Sequence, residues 1–245
     1  MRMLAFASRN LREILRDPLS LLFGIGFPVV LLLLIGMLKR SISDMPVELF
    51  AIETFAPGMA VFGLSFQALF LGMLMTGDRS NALLHRLFAS PLTSSDYILG
   101  YCLPLLPVAV AQGIVFFAVA LLLGLTVSVS LLLALVVLIP VALLFIGCGL
   151  LMGCCLSSSP QVGGIGSLLI NVAAWLSGIW FDLEMIGGTF RTICRLLPFA
   201  HAVDAVTAAV AGDCGAILPH LIWVLGYAAA LFACAAVIFR RRMLG

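Results

Sequence analysis

The sequence predicts an all-α integral membrane protein: six transmembrane helices, an N-terminal interfacial helix, a cytoplasmic helix between spans 2 and 3, short external helices between spans 5 and 6, and both termini cytoplasmic. Three observations carry this. The 245 residues have a mean hydropathy of +1.24 and only 10% charged side chains, against about 25% in soluble domains. From Tyr97 to Phe181 there is no charged residue, a stretch roughly four crossings long and so room for three with their turns. The basic residues sit at the edges of apolar runs and divide unequally between the two sides.

Each element follows from a hydrocarbon core about 30 Å thick, which takes about 20 helical residues whose backbone groups bond within the helix. Residues 1–17 are too charged to span. Leu4, Leu11, Ile14 and Leu15 fall near one face of a helix while Arg2, Arg9, Arg12 and Arg16 point elsewhere, which suits a helix in the interface with arginines at lipid phosphates. The first span, 18–38, is followed by Lys39-Arg40, not by a small-residue cleavage site, so it is expected to be an uncleaved span. The second covers 54–77. "GLTVSVS" and "LSSSPQVGG" carry the Gly, Ser and Pro residues that end helices, and they divide the uncharged run into spans 97–123, 131–156 and 162–180. A last span, 217–239, makes residues 1–245 one transmembrane domain.

Six spans place nine arginines (2, 9, 12, 16, 79, 86, 240, 241 and 242) with the termini and four basic residues (Lys39, Arg40, Arg191, Arg195) opposite. The positive-inside rule therefore puts the termini in the cytoplasm of a multi-pass cell-membrane protein. Between the last two spans, "TICRLLPFAHAVDAVTAAVAGD" is apolar at helical spacing but broken by Pro198. It reads as two short helices dipping into the outer leaflet or capping the external end of the bundle.

Several chemistries are not supported. The seven cysteines lack paired spacing with histidines, so no metal site is predicted. They read as small apolar residues, with Cys194 and Cys214 the one pair placed to meet in an external loop. His85, His201 and His220 lie in separate regions and no nucleophile has a base within reach, so no catalytic or cofactor-binding residue is assigned. The spans contain no ionisable residue at their centres, unlike ion-coupled carriers. Gln67 and Asn171 read either as amides bonding between helices or as lining of a pathway. The net charge of +2 is spread in short clusters and implies membrane lipids, not nucleic acid. The only lysine, Lys39, has no glycine before it, which excludes a Walker A loop. Active transport would draw its energy from another polypeptide.

A docking surface for such a partner is expected in "GDRSNALLHRLFASPLTSSDYILG", 77–100. Asp78 is placed to cap a short helix from Arg79 to Phe88 that Pro91 stops. Leu83, Leu84, Leu87 and Phe88 form its apolar stripe, with Arg79 and Arg86 on another face. Ser94 and Ser95 offer caps for the third span, with Asp96 in its first turn. Such a stripe rests on lipid or inserts into a partner's groove, and the missing internal motor favours the partner.

The order of these elements, with Ser90, Pro91, Leu92, Thr93 and then Ile98, Leu99, Gly100, Tyr101, resembles the type-2 permeases of ABC exporters. "LLPFAHAVDAVTAAVAG" before the last span is similar to the family's short amphipathic segment there. Two positions depart from it: the loop helix begins "DRSNALL" where the family is often Glu-rich, and Thr207 stands where an Arg is usual. The resemblance implies two permeases, identical or homologous, around a central path, docked onto two ABC-type ATPase subunits. ATP and Mg would bind on those subunits, and the segment from Arg79 to Pro91 would be the coupling helix. Substrates of the family include drugs, lipid-linked molecules and polysaccharides. The few Tyr and Trp residues favour an amphipathic or hydrophobic small molecule over a sugar polymer. The alternative is a non-transporting membrane scaffold or assembly factor that recruits a cytoplasmic partner through the same loop.

Overall fold

The computed structural model describes residues 2–41, 50–81 and 93–244, and their regular structure is helical throughout. Helix α1 (Arg2–Arg16) ends at Asp17, whose carboxylate accepts from the backbone N–H groups of Leu19 and Ser20 and so caps the next helix, with Pro18 at its first position. The first apolar helix comprises α2 (Pro18–Leu21), a π-helical turn (Leu22–Gly26) and α3 (Phe27–Ser41). Then follow α4 (Ile52–Ser80), α5 (Ser94–Cys102), α6 (Leu105–Leu122), α7 (Ser130–Cys155), α8 (Ser159–Leu176), the short α9 (Leu183–Ile186), α10 (Gly188–Leu196), α11 (Pro198–Ala211) and α12 (Cys214–Leu244).

Among the described residues, five helical stretches are long and apolar enough to cross a membrane: Pro18–Lys39, Ile52–Ser80, Ser94–Leu122, Ser130–Cys155 and Cys214–Arg241. The bent pair α10 and α11 raises the number to six if it is one span. The segment expected as a fifth span, 162–180, falls on α8, which has 18 residues and stops at Leu176. Its Ser159, Pro160, Gln161 and Asn171 dilute its apolar content. Even so, α8 reaches from one end of the bundle to the other. Its first residue meets the end of α4, Thr76 Oγ1 lying 3.1 Å from Ser159 Oγ, and just beyond its last turn Trp180 packs on Phe55 at the start of α4, 6.2 Å between rings.

Such end-to-end contacts order the whole bundle. At one end, here the terminal end, α1, the end of α4, α5, the end of α7 and Phe239 of α12 come together. At the distal end, Gly36 of α3 abuts Leu123, and Ser130 Oγ at the start of α7 donates to the Val210 carbonyl 2.7 Å away. The long helices therefore alternate in direction.

The core is α4. From Phe55 to Ala68 every residue is buried, because α7, α8, α11 and the first span surround it. Small residues set the closest approach, as expected where lipid offers no hydrophobic drive and packing decides association. A Cβ on Gly149 of α7 would stand 2.6 Å from the Ala68 carbonyl oxygen of α4, so only glycine fits there.

Two elements differ from the sequence expectation. The third apolar stretch breaks at Leu103–Pro104, since Pro104 cannot donate the bond that would continue α5. Its N-cap is Thr93, not Ser94 or Ser95: Thr93 Oγ1 accepts from the Asp96 N–H while Asp96 Oδ2 accepts from the Thr93 N–H at 2.9 Å, a capping box with Asp96 in the expected first turn.

Helices α10 and α11 meet at a 77° bend. Phe199 stacks on Phe145 in the middle of α7, while Val210 reaches the start of α7. The chain thus turns into the bundle and returns, with the two short helices that the sequence predicts around Pro198. The carbonyls exposed at the bend are satisfied from outside the helix: His201 Nε2 donates to Arg195 O at 2.9 Å and Tyr227 Oη to Leu196 O at 2.9 Å. Cys194 is buried and Cys214 exposed, and both are free thiols.

The contact between α4 and α7 is testable. Gly149→Ala forces backbone apart and should destabilise the protein by about 1–3 kcal/mol. Gly77→Ala, where a Cβ meets nothing, should be neutral or stabilising by up to about 1 kcal/mol. Thermal unfolding in detergent compares the two.

Candidate functional site

The first site to consider is the base of the 82–92 loop. Leu83, Leu84, Arg86, Leu87, Phe88 and Pro91 lie outside the described residues, but Asp78 and Arg79 do not. Asp78 is not a helix cap. Helix α4 continues through it to Ser80, and the Asp78 side chain is buried at 2% exposure. Arg9 of α1 grips both its oxygens, Nη1 to Oδ2 and Nη2 to Oδ1, each at 2.7 Å, and Tyr101 Oη donates to Oδ2 at 2.9 Å. A carboxylate so buried requires this many partners, because an unpaired charge in low dielectric is strongly unfavourable.

The same residues dock α1. Its buried face is Phe6, Ala7, Asn10 and Ile14. Of the four residues expected on one face, only Ile14 is buried, while Leu4 and Leu15 stay exposed. The reason is that α1 packs against α5. Phe6 sits edge-on to Tyr101, with ring centres 4.9 Å apart, and a Cβ on Gly100 would lie 2.3 Å from the Phe6 ring. Asn10 Nδ2, fully buried, donates to the Gly100 carbonyl at 3.0 Å. Gly100 and Tyr101 of the "ILGY" motif therefore form the seat for α1. The bond to Asp78 raises the Arg9 guanidinium above its ordinary value against partial burial, and burial pushes the Glu13 carboxyl beside it up.

Arg79 has a different task. Its Nη1 donates to Leu156 O and its Nη2 to Gly153 O, both at 2.7 Å. It thus satisfies carbonyls at the C-terminal end of α7 and places a cation where the helix dipole favours one. Adjacent residues at the mouth of one loop hold three other elements: Asp78 holds α1 and α5, and Arg79 holds α7.

The two amides expected to bond or to line a pathway are separated by the structure. Gln67 is buried; its Nε2 donates to Gln112 Oε1 at 3.3 Å, and Gln112 Nε2 donates to Gly24 O at 2.5 Å. Gly24 lies within the π-helical turn. The polar chain ties α4, α6 and the first span together within the bundle. Asn171 is exposed on α8 and donates to Ser167 O one turn back, while Ser167 Oγ donates to Gly163 O.

Against α1 and α4 a groove of about 740 Å³ opens at the terminal end. Arg9, Arg12 and Arg16 with Glu13 and Asp17 form one wall, and Phe70, Met73 and Leu74 the other. It suits a molecule with a polar or anionic head and an apolar body.

The sequence reading missed Arg9, Asn10 and Tyr101 as a unit. The available signal was Asp78, an acidic residue closing a long apolar run, with Arg9 of the N-terminal segment among the arginines that could pair with it. It also treated His201 and His220 as unrelated, whereas their Nδ1 atoms lie 2.8 Å apart.

Residues 1–210 match the ABC-2 type transporter family, and the chain belongs to that family. Among curated proteins it is similar to Nodulation protein J of Rhizobium meliloti (strain 1021), 27% identical over 236 residues that cover 94% of this chain and 85% of that protein. The chain is a membrane subunit of a transporter.

Removing one partner of a buried ion pair costs about 3–5 kcal/mol, less where solvent reaches the other side. Arg9→Ala should therefore destabilise more than Asp78→Asn, since it strands a carboxylate. The double variant should lose less than the sum, with a coupling of about 1–3 kcal/mol in a double-mutant cycle followed by thermal unfolding.

Proposed function

We propose that this chain is the permease of an ATP-driven ABC exporter, with its termini and the 78–91 loop in the cytoplasm. A separate ATPase docks on that loop, two copies serving a pair of permeases, and the substrate is an amphipathic molecule moved outward. The observation that carries this reading is the anchoring of Asp78 and Arg79. A push on a helix between Arg79 and Pro91 would reach α1 and α5 through Asp78 and α7 through Arg79. Leu83, Leu84, Leu87 and Phe88 supply the apolar contact, with Arg86 on the other face.

A second permease, identical or homologous, fits the exposed face of α8. Gly163, Gly164, Ser167 and Asn171 follow at helical spacing, and a Cβ on either glycine meets nothing within the chain. An amide turned to hydrocarbon is unfavourable, and a facing helix would give it a partner while the glycines allow close approach. In that pair Asn171 lies at the seam where a path would run. The groove beside Arg12, Arg16 and Phe70 supports entry of an amphipathic substrate from the same leaflet.

Two experiments follow. With an ATPase subunit co-expressed, Leu84→Glu and Phe88→Glu should cut its co-purification and substrate-stimulated ATP hydrolysis at least tenfold, while Val127→Glu, exposed at the distal end, should not. Retention of the ATPase by both loop variants would sink the docking role. Gly164→Leu should abolish association between permeases in a cross-linking or energy-transfer assay, with the monomer still folded.

A further inference from the structure

We propose that His201, Asp204 and His220 form a binding site for one borderline transition-metal ion, Zn²⁺ in the first instance, which staples the returning helix α11 to the last helix α12. This goes beyond the transport reading and stands independently of it.

The three side chains present one ligand atom each, all within 4.8 Å of one another. His201 and Asp204 lie three residues apart on α11, hence on one face, and His220 comes from the second turn of α12. The His201 Nδ1 to His220 Nδ1 distance is 2.8 Å and the His220 Nδ1 to Asp204 Oδ2 distance 4.0 Å. Tetrahedral Zn²⁺ with Zn–N bonds of about 2.0–2.1 Å sets its ligand atoms about 3.3 Å apart. The two separations bracket that value, so small side-chain rotations bring the ligands into place.

The tautomers favour the same conclusion. His201 Nε2 faces the Arg195 carbonyl at 2.9 Å and must carry its proton there, which leaves the Nδ1 lone pair pointing at His220. A ring nitrogen held by a backbone carbonyl while the other stays open is the arrangement that orients metal-binding histidines. Without an ion, one proton lies between the two Nδ1 atoms. With one, His220 carries its proton on Nε2 instead and both lone pairs meet the metal. Two imidazoles and a carboxylate suit Zn²⁺ and its neighbours, not Ca²⁺ or Mg²⁺. The ring of His201 is buried and stacks on Trp223, with ring centres 5.3 Å apart, while His220 and Asp204 are partly exposed and give the ion a way in.

One cation competes for the site. Arg195 pairs with Asp204. It has a second carboxylate in Glu184, whose Oε1 lies 3.4 Å from Nη2, so it can release Asp204 to an arriving ion and stay paired. Arg195 therefore sets the affinity without closing the site.

The full chain, purified in detergent with a tag free of histidine and carrying His85→Gln, tests this. After chelation, titration with Zn²⁺ should saturate at one ion per chain and raise the melting temperature. Co²⁺ should give a tetrahedral visible spectrum and quench Trp223 fluorescence, a loss absent in Trp223→Phe. His220→Ala and Asp204→Asn should each weaken binding at least tenfold, and Arg195→Gln should tighten it. The proposal is overturned by no saturable binding, by equal binding in His220→Ala, or by a near-ultraviolet thiolate-to-cobalt band that would place the ion on cysteines. Should the ligand variants fail to fold, the Co²⁺ spectrum and the Trp223 quenching of the otherwise intact chain decide it.

Discussion

A single buried carboxylate organises the terminal end of this transporter subunit. Asp78 lies within α4, out of reach of bulk water, and its charge is tolerable only because Arg9 and Tyr101 bind it. That requirement brings α1 back onto the bundle and aligns α5 beside α4. It also explains why the chain keeps Gly100: the close seat of Phe6 needs a residue without Cβ, and the Gly100 carbonyl is then free to receive Asn10. The next residue, Arg79, extends the constraint to α7 through its terminal carbonyls. The loop that follows is thus rooted in four helices instead of hanging from two.

Inside the bundle, packing takes over from charge. Neighbouring helices gain little from burial when lipid is as apolar as they are, so contact depends on how closely backbones approach and on a few internal hydrogen bonds. The close contact of Gly149 with Ala68 supplies the first, and the chain from Gln67 through Gln112 to the Gly24 carbonyl supplies the second. At the distal end the governing demand is backbone satisfaction. A helix broken at Leu197 frees the Arg195 and Leu196 carbonyls from the helical ladder, and His201 and Tyr227 serve them. The polar side chains there belong to the bend first, and the cluster of His201, Asp204 and His220 arises because the bend gathers them.

Much of the architecture was legible in the sequence. Long apolar runs, the uncharged stretch from Tyr97 to Phe181 and the breaking residues around Pro198 are properties of composition and spacing, and the bilayer's thickness turns them directly into helices and a dip. The capping residue of α5 was missed by one position, because Thr93, Ser94 and Ser95 are all acceptable caps and only the geometry with Asp96 selects among them. The N-terminal helix was legible, but its buried face was not. Helical periodicity ranked Leu4 and Leu15 as the apolar face, whereas the pocket at Gly100 selects Phe6 and Asn10.

The sequence by itself determined that this chain is a helical membrane protein with a charged loop at one end, since hydropathy and the distribution of arginines act residue by residue. It did not determine what that loop stands on. Asp78 reads locally as a helix cap, and only the folded bundle, by bringing Arg9 and Tyr101 to it from 69 and 23 residues away, makes it a buried ion pair. The same holds for the two histidines, 19 residues apart in sequence and in contact at the bend. Pairing between distant polar groups is decided by which helices pack together, and that depends on close backbone approach, for which local pattern carries almost no signal.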